Sequence, residues 1–590
     1  NTAKSTGMMH SLPFTRKAHY LNHSLAGLIL LLAPVLLNGI ILAVLQGVTF
    51  LSSYYDLIDV LRWMGFTALF NILFYAISIF VGMFTGSSIA QIVFTYIFHV
   101  LPVGINAFWS FNLRQWLWGF AETNSQMSMI NDLPFVALVD SRLGPEYFTG
   151  LNIFLYLLFT AVFLVLGYYV YKIRKMESAG EIVVFPVVRP IFKYGVTICC
   201  TLVGGVYFAE VSRDSLAIIV FGYLCSSFLG YWVAEMLMKK SFRVWGAYKG
   251  YLAYTLLLML LLISVKTDFI GYQSRVPELD QVEKVYLGYN YHNWVMVEQN
   301  EGLVNEVSRE GRQIIEYTTD TDRGCFFTGQ ENMAHLIELH KKLIEKPYVK
   351  EGMRRYIIYT LKNGKYLIRQ YPIDENRFSQ YIGPLYQSLE YKEARFPLLT
   401  QEINQIKSIE IRDERTLKRP LILADTAEIE EFRHIFQQEL TEASFEELTI
   451  SRNVPTGIRI IDDQDHVQYY QLPKEYQTVF DWLKEKGYYQ EVMLLPEEVE
   501  YAELISWERE FTGIETREPA SPGEVKITEP QLIKELLEVC ENFDYQKDME
   551  AVRVNFYVKV VGRGIYRWQG DIQKDAHVSE KLADYLKKVN

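Results

Sequence analysis

The chain has 590 residues, half of them hydrophobic and 14% aromatic, with 22% charged. That is too apolar for a purely water-soluble protein and too charged for a purely intramembrane one, and it excludes a disordered chain and a small disulfide scaffold. Charge resolves the conflict: residues 1–268 carry 17 Lys and Arg against 12 Asp and Glu, a net of +5, while the other 322 residues carry 41 against 57, a net of −16. A slightly basic membrane part is fused to an acidic water-soluble part.

The chain opens on Asn1 rather than Met, and no signal sequence precedes the first apolar run, so it reads as a piece of a longer protein. Residues 10–34, HSLPFTRKAHYLNHSLAGLILLLAP, suit a short helix lying at the membrane face. In that reading Ser11 caps it, Pro13 takes the first turn, and Arg16 with Lys17 meets phosphates or acidic groups. About 20 apolar residues span a bilayer, and seven runs qualify. They are Ala26–Val48, Met64–Phe84, Ser88–Trp109, Phe148–Tyr171, Phe192–Ala209, Ser215–Met238 and Tyr251–Ile270. With the N-terminus inside, 12 basic residues fall in the inner segments (among them Arg16, Lys17, Lys172, Arg174, Lys175, Lys193, Lys239 and Lys240). Only Arg62, Arg114, Arg142, Arg213 and Lys266 fall outside. The positive-inside rule therefore predicts a cytoplasmic N-terminus and an extracytoplasmic chain after about residue 270. The loop Ser110–Tyr147 opens on FWSFNLRQWLWGF, which reads as an interfacial aromatic anchor or a substrate gate. Asn38, Asn71, His99 and Asn106 lie within spans and should face other helices; a packing role for His99 outweighs a proton relay.

His10, Ser11, Leu12, Pro13, Arg16, Ala26, Gly27 and Pro34 together make the leading run resemble the cytoplasmic loop and following helix of type-2 ABC transporter permeases, in particular a Gram-positive bacterial group with a large C-terminal extracytoplasmic domain. Tyr171–Glu181, YKIRKMESAGE, is similar to a basic stretch that these permeases carry after a later helix, and it falls on the same predicted side. The resemblance implies a coupling helix docked in a groove of an ATPase subunit, with Ser11, Leu12, Pro13, Phe14, Arg16 and Lys17 at the contact. It also implies two further helices upstream of Asn1, about nine in all.

After Gln273, β-type runs alternate with amphipathic helices. Tyr356–Ile373 is a hairpin signal, with Asn363-Gly364 supplying the positive φ angles of a tight turn. Runs from Ile458 and Val554 look alike; the three starts are 102 and 96 residues apart. Each is preceded by an apolar strand and an acidic helix, from Cys325, Leu421 and Val525, with caps at Thr328, Asp425 or Thr426, and Thr528. A helix follows each hairpin. The predicted fold is thus a polytopic α-helical membrane domain followed by an α+β extracytoplasmic domain of about three repeated modules. Its segments are a coupling segment 1–25, a transmembrane domain 26–270, and modules 271–390, 391–490 and 491–590.

No chemistry-bearing motif appears. Gly364-Lys365 lacks the rest of a phosphate-binding loop, no GxSxG is present, and His335 and His340 do not have the HExxH spacing, so no catalytic, metal or cofactor residue is assigned. Acidic runs such as Glu497, Glu498 and Glu500 read as solvated faces, or as a surface that attracts cationic peptides. A bridge between Cys325 and Cys540 is disfavoured, one opening a strand and the other ending a helix. The expected function is a membrane permease subunit, not an enzyme, that couples ATP hydrolysis in a separate ATPase (which would hold ATP and Mg) to export or removal of an amphiphilic substrate such as an antimicrobial peptide or lipid. The partners expected are that ATPase, a second permease copy or homologue and the lipid bilayer, without nucleic acid. The alternative is a membrane-anchored extracytoplasmic receptor or sensor.

Overall fold

The computed structural model describes residues 13–48, 50–123, 150–175, 181–212, 215–298, 305–309, 312–317, 324–345, 352–400, 402–450, 454–463, 467–506, 525–542, 552–560, 564–572 and 576–587. It divides into two units, residues 1–275 and 276–590. Among its described residues the first holds seven helices long and apolar enough to cross a membrane. They are α1 (Arg16–Val48), α2 (Leu57–Phe84), α3 (Ser88–Trp116), α4 (Gly150–Ile173), α5 (Val188–Val211), α6 (Leu216–Lys239) and α7 (Tyr248–Lys266). Each overlaps one of the seven apolar runs, because a run of about 20 residues without water-seeking groups can satisfy its backbone only by hydrogen-bonding to itself.

Close packing between these helices uses small residues where backbones approach. A Cβ at Gly27 would meet the Tyr75 hydroxyl at 1.9 Å, and one at Gly204 would meet Ser226 Oγ at 2.1 Å. The Tyr75 hydroxyl fills the space left by Gly27, donating to Ser24 O at 3.1 Å and lying 3.3 Å from His23 O. α3 is longer than its apolar run suggests: it continues through Trp116, so the first aromatic residues of the Ser110–Tyr147 stretch are helix rather than loop. Residues 124–147 of that stretch lie outside the described residues.

The described residues of the second unit form three sheets of matching construction. In the first module β1 (Val282–Gly288) is followed by α8 (Tyr291–Glu298), the hairpin β2 (Asn305–Arg309) and β3 (Arg312–Tyr317), then β4 (Cys325–Phe327), α9 (Gln330–Glu345), the hairpin β5 (Met353–Leu361) and β6 (Tyr366–Ile373), α10 (Ser379–Gln387) and α11 (Leu389–Arg395). The second has β7 (Ile406–Asp413), β8 (Leu421–Leu423), α12 (Thr426–Glu442), β9 (Thr456–Asp462), β10 (Val467–Gln471) and α13 (Gln477–Glu485). The third has β11 (Val499–Ser506), β12 (Val525–Ile527), α14 (Pro530–Val539), β13 (Glu541–Asn542), β14 (Val552–Val560), β15 (Gly564–Ile572) and α15 (Glu580–Lys587). The orders β4-β1-β5-β6, β8-β7-β9-β10 and β12-β11-β14-β15 are one pattern, with β3 and β2 added beside β10 and β13 beside β15. β3 belongs to the first module yet pairs in parallel with β10 of the second, through Glu316 opposite Val467.

Strand pairing corrects the sequence alignment of the modules. Val285 pairs with Tyr359 and Phe327, Ile409 with Ile460 and Leu423, and Ala502 with Phe556 and Ile527. Ile357, not Tyr356, is therefore the counterpart of Ile458 and Val554, and a one-residue slip exchanges the two faces of the strand. The β5–β6 turn also differs from expectation. Gly364 has φ +75° while Asn363 does not have a positive φ, and Gly364 N donates to Leu361 O at 2.8 Å, giving a type I turn followed by a left-handed glycine. Of the three predicted caps only Asp425 acts as one, accepting from Ala427 N and Glu428 N at 2.9 and 3.3 Å. Cys325 and Cys540 are both buried, and no disulfide joins them.

One device recurs in both units: a cation seated on the carbonyls that a helix C-terminus leaves without N–H partners. In the second unit Lys392 of α11 donates to Thr441 O and Ala443 O at 2.5 and 2.9 Å, closing the end of α12. Arg415, held by both oxygens of Asp413 at 2.9 Å, donates to Leu537 O near the end of α14 at 3.1 Å.

Candidate functional site

Alternation of the seven helices brings the start of α1, α3, α5 and α7 and the end of α2, α4 and α6 to one end of the first unit. All the described basic residues that the sequence assigns to inner segments lie in or beside these helix ends.

Of the leading segment only residues 13–15 are described, and they enter α1 as non-helical chain. Pro13 lies in a bend, and α1 begins at Arg16, where Thr15 Oγ1 accepts from Ala18 N at 3.2 Å. Thr15 can cap the first turn because its hydroxyl oxygen reaches back to an otherwise unpaired N–H, an acceptor that a proline side chain lacks. Ser11 and Leu12 lie outside the described residues. Phe14 is 57% exposed with its ring edge-on to His19, and Lys17 is exposed.

Arg16 faces inward. Its Nη1 donates to Lys172 O at 2.7 Å and lies 3.3 Å from Arg174 O, at the end of α4. Arg174 in turn donates through Nη1 to Gly82 O in the last turn of α2 at 3.0 Å. One turn deeper, the Tyr20 hydroxyl donates to Leu164 O at 2.8 Å and its ring packs on Tyr168 and Tyr171. The start of α1 is thus knotted to α4, and α4 to α2. Lys17 and Phe14 keep their side chains outside that knot.

The α4–α5 connection is tied to the α2–α3 turn. Gly86 N donates to Glu181 O at 2.7 Å, Val184 N to Phe84 O at 2.8 Å, and Arg189 pairs with Glu181 at 2.7 Å. Met176–Gly180, most of the second resemblance motif after Lys175, lies outside the described residues.

Sequence reasoning missed Glu235, which sits in the last turns of α6. Its carboxylate pairs with Lys193 of α5 at 2.9 Å and with Lys239 at 3.3 Å, and Lys193 also donates to the Tyr231 hydroxyl at 3.2 Å. The signal was present: Glu235 and Lys239 stand four apart, one turn of helix. Removing one partner of such a buried pair leaves an uncompensated charge. Asn112, assigned by sequence to an outer aromatic loop, is buried in α3. It donates to Leu202 O at 3.1 Å and accepts from the Tyr223 hydroxyl at 2.6 Å, while Trp116 donates to Tyr223 at 2.9 Å. His99 bonds Thr95 O of its own helix at 2.6 Å and packs edge-on to Phe74.

In the second unit the first module has an unusual interior. His340 of α9 sits between the hydroxyls of Tyr359 and Tyr371, at 3.0 and 2.9 Å. Arg355 is buried against Tyr289, Tyr386 and Glu375. Burial, with the Arg369 charge nearby, pushes the His340 imidazole down to about 3, so it is neutral. Among the described residues no group of three or more His, Cys, Asp or Glu side chains is placed to hold a metal ion.

Residues 359–493 match a protein family described as a domain of unknown function (DUF6449), a stretch running from β5 of the first module through the whole second module. No curated protein and no solved structure matches the chain.

Proposed function

We propose that this chain is the permease subunit of a type-2 ABC transporter, in which a separate ATPase binds ATP and Mg and drives movement of an amphiphilic substrate such as an antimicrobial peptide or lipid. The observation that carries the reading is the knot at the basic end. Phe14 is exposed on a segment continuous with α1, Arg16 joins that segment to the end of α4, and Arg174 joins α4 to α2. A displacement applied at Phe14 by a docked ATPase therefore moves three helix ends together, which is what a coupling element must do. The basic end faces the cytoplasm in this reading, by the positive-inside rule, and seven crossings then put the second unit on the far side. Fully buried residues are scarce in the most apolar stretches of α3 and α7, as in helices that face lipid or a second permease copy.

The test is affinity purification of the full chain from its native membrane, with identification of co-purifying proteins and an ATPase assay. An ATPase should co-purify with the wild type and be lost in Phe14→Asp, with unchanged gel-filtration behaviour. Arg16→Gln should keep the partner but lower coupling between ATP hydrolysis and transport, because the guanidinium acts inside the knot. A wild-type chain that reaches the membrane without an ATPase would overturn the reading and leave the seven helices as the anchor of a receptor.

A further inference from the structure

The turn between α6 and α7 gathers more exposed aromatic and basic side chains than any other described segment of the basic end. Residues 239–249 read KKSFRVWGAYK, and no acidic residue occurs between Glu235 and Asp268. Lys239 is committed to Glu235, but among the described residues no carboxylate pairs with Lys240, Arg243 or Lys249. Elsewhere at this end Arg16 and Arg174 are held by carbonyls and Arg189 and Lys193 by carboxylates, while Lys17, Lys172 and Lys175 are exposed. Phe242 and Trp245 are 84% and 68% exposed.

The turn is built and held in place. Lys240 ends α6 in the left-handed conformation, φ +49°, which reverses the chain, and Ser241 N donates to Met236 O at 3.3 Å. Val244 is buried with Tyr231 and Trp232, and the Tyr231 hydroxyl donates to Ala247 O at 2.8 Å. The Trp245 ring rests on Trp232, 5.7 Å between centroids. Trp232 stands seven residues before the end of α6, about 10 Å along its axis at the helical rise of roughly 1.5 Å per residue. The Trp245 indole is thereby drawn down beside the last two turns of an apolar helix, the depth at which aromatic rings meet lipid headgroups and where a soluble protein does not reach.

We propose that this turn is a binding site for anionic phospholipid headgroups, with Lys240, Arg243 and Lys249 facing phosphate and Phe242 and Trp245 seated at the acyl boundary. Cations near a negatively charged leaflet gain by exchanging water for lipid phosphate, and interleaved aromatic rings fix their depth. The assignment stands independently of the transporter reading.

The test places the full chain in nanodiscs of equal parts phosphatidylglycerol and phosphatidylcholine and reads the retained lipids by native mass spectrometry. Wild type should retain phosphatidylglycerol preferentially. Lys240→Gln/Arg243→Gln should lower that preference by about tenfold or more. Lys172→Gln/Lys175→Gln removes the same charge from exposed positions of the same end, at the close of another helix and away from Phe242 and Trp245, and should leave the preference standing. Quenching by brominated phosphatidylglycerol should also be larger in wild type than in Trp245→Phe, a difference that needs no charge variant to fold. Equal losses in both double variants would reduce the effect to bulk charge and overturn the site. Unchanged phosphatidylglycerol retention in Lys240→Gln/Arg243→Gln, with or without loss of a co-purifying soluble protein, would overturn it too; loss of such a protein would identify a protein-docking surface.

Discussion

The first and third modules of the C-terminal unit share a strand order and the placement of two helices, yet opposite chemistry fills the space between sheet and helix. In the third module the equivalent positions are Val552, Val554, Phe556, Trp568 and Ile572, all buried. In the first they are Arg355, Ile357, Tyr359, Leu367 and Tyr371, with Arg369 beside them, and these too are buried. Helix starts align the modules independently. Met333 N bonds Gly329 O, Ile429 N bonds Asp425 O and Ile533 N bonds Glu529 O, so His340 takes the place of Phe436 and Cys540. A polar core can replace an apolar one in the same frame only if its hydrogen-bonding groups meet one another, as His340 meets both tyrosines and Arg355 meets Glu375, Tyr289 and Tyr386. Burial supplies the driving force in the third module; mutual satisfaction is an added condition in the first.

Substitutions at equivalent positions sharpen this contrast. Arg355→Leu removes a buried guanidinium from half-buried Glu375 and two tyrosines, and should destabilise the first module by about 3–5 kcal/mol in denaturant unfolding. Val552→Leu, at the matching position of the third module, adds one methylene to an apolar core without orphaning a polar group and should cost less, about 1–3 kcal/mol. Equal costs would break the comparison. A reciprocal exchange is next in size: Tyr359→Phe orphans a His340 nitrogen and Phe556→Tyr buries a hydroxyl among apolar groups, and each should cost about 1–3 kcal/mol although one removes an oxygen and the other adds it.

Acid should separate the modules as well. His340 is depressed from an ordinary 6.5 to about 3, so the folded state binds fewer protons than the unfolded one. Its contribution is fully present above pH 6.5 and is lost as pH falls toward about 3. Hydrogen exchange should show β5, β6 and α9 opening before β14, β15 and α14 as the pH is lowered, and His340→Phe should flatten that dependence even while weakening the module at neutral pH. The smallest effect concerns Glu390. Its carboxylate accepts from Thr328 N, Thr328 Oγ1, Gly329 N and Asn332 Nδ2 at 2.6–2.9 Å, acting as the cap of α9 from a different helix. Burial pushes this carboxyl up, but those hydrogen bonds outweigh it and hold it below the usual carboxylate range. Glu390→Gln should cost about 1 kcal/mol, read as a small loss of thermal stability and of protection at the start of α9.

Much of this architecture was legible in the residues because it depends on local chemistry. Seven long apolar runs dictate helices, since no other conformation satisfies a backbone away from water, and the runs at Tyr356, Ile458 and Val554 alternate strongly enough to mark hairpins. The count of basic residues separates the two ends of the helices without any coordinates. Tertiary structure alone decided what depends on groups distant in the chain. The register of the first module shifted by one residue because pairing with β1, not the hairpin's own pattern, sets which face is buried. β1, β7 and β11 escaped notice because a strand that pairs on both sides needs no turn of its own to announce it. Arg16 and Lys193 read as cytoplasmic charge in the sequence. Their partners, carbonyls 156 and 158 residues away for one and a carboxylate 42 residues away for the other, exist only once the helix ends are gathered together. Apolar periodicity is written residue by residue, whereas the partner of a buried charge is fixed by the packing that brings it near.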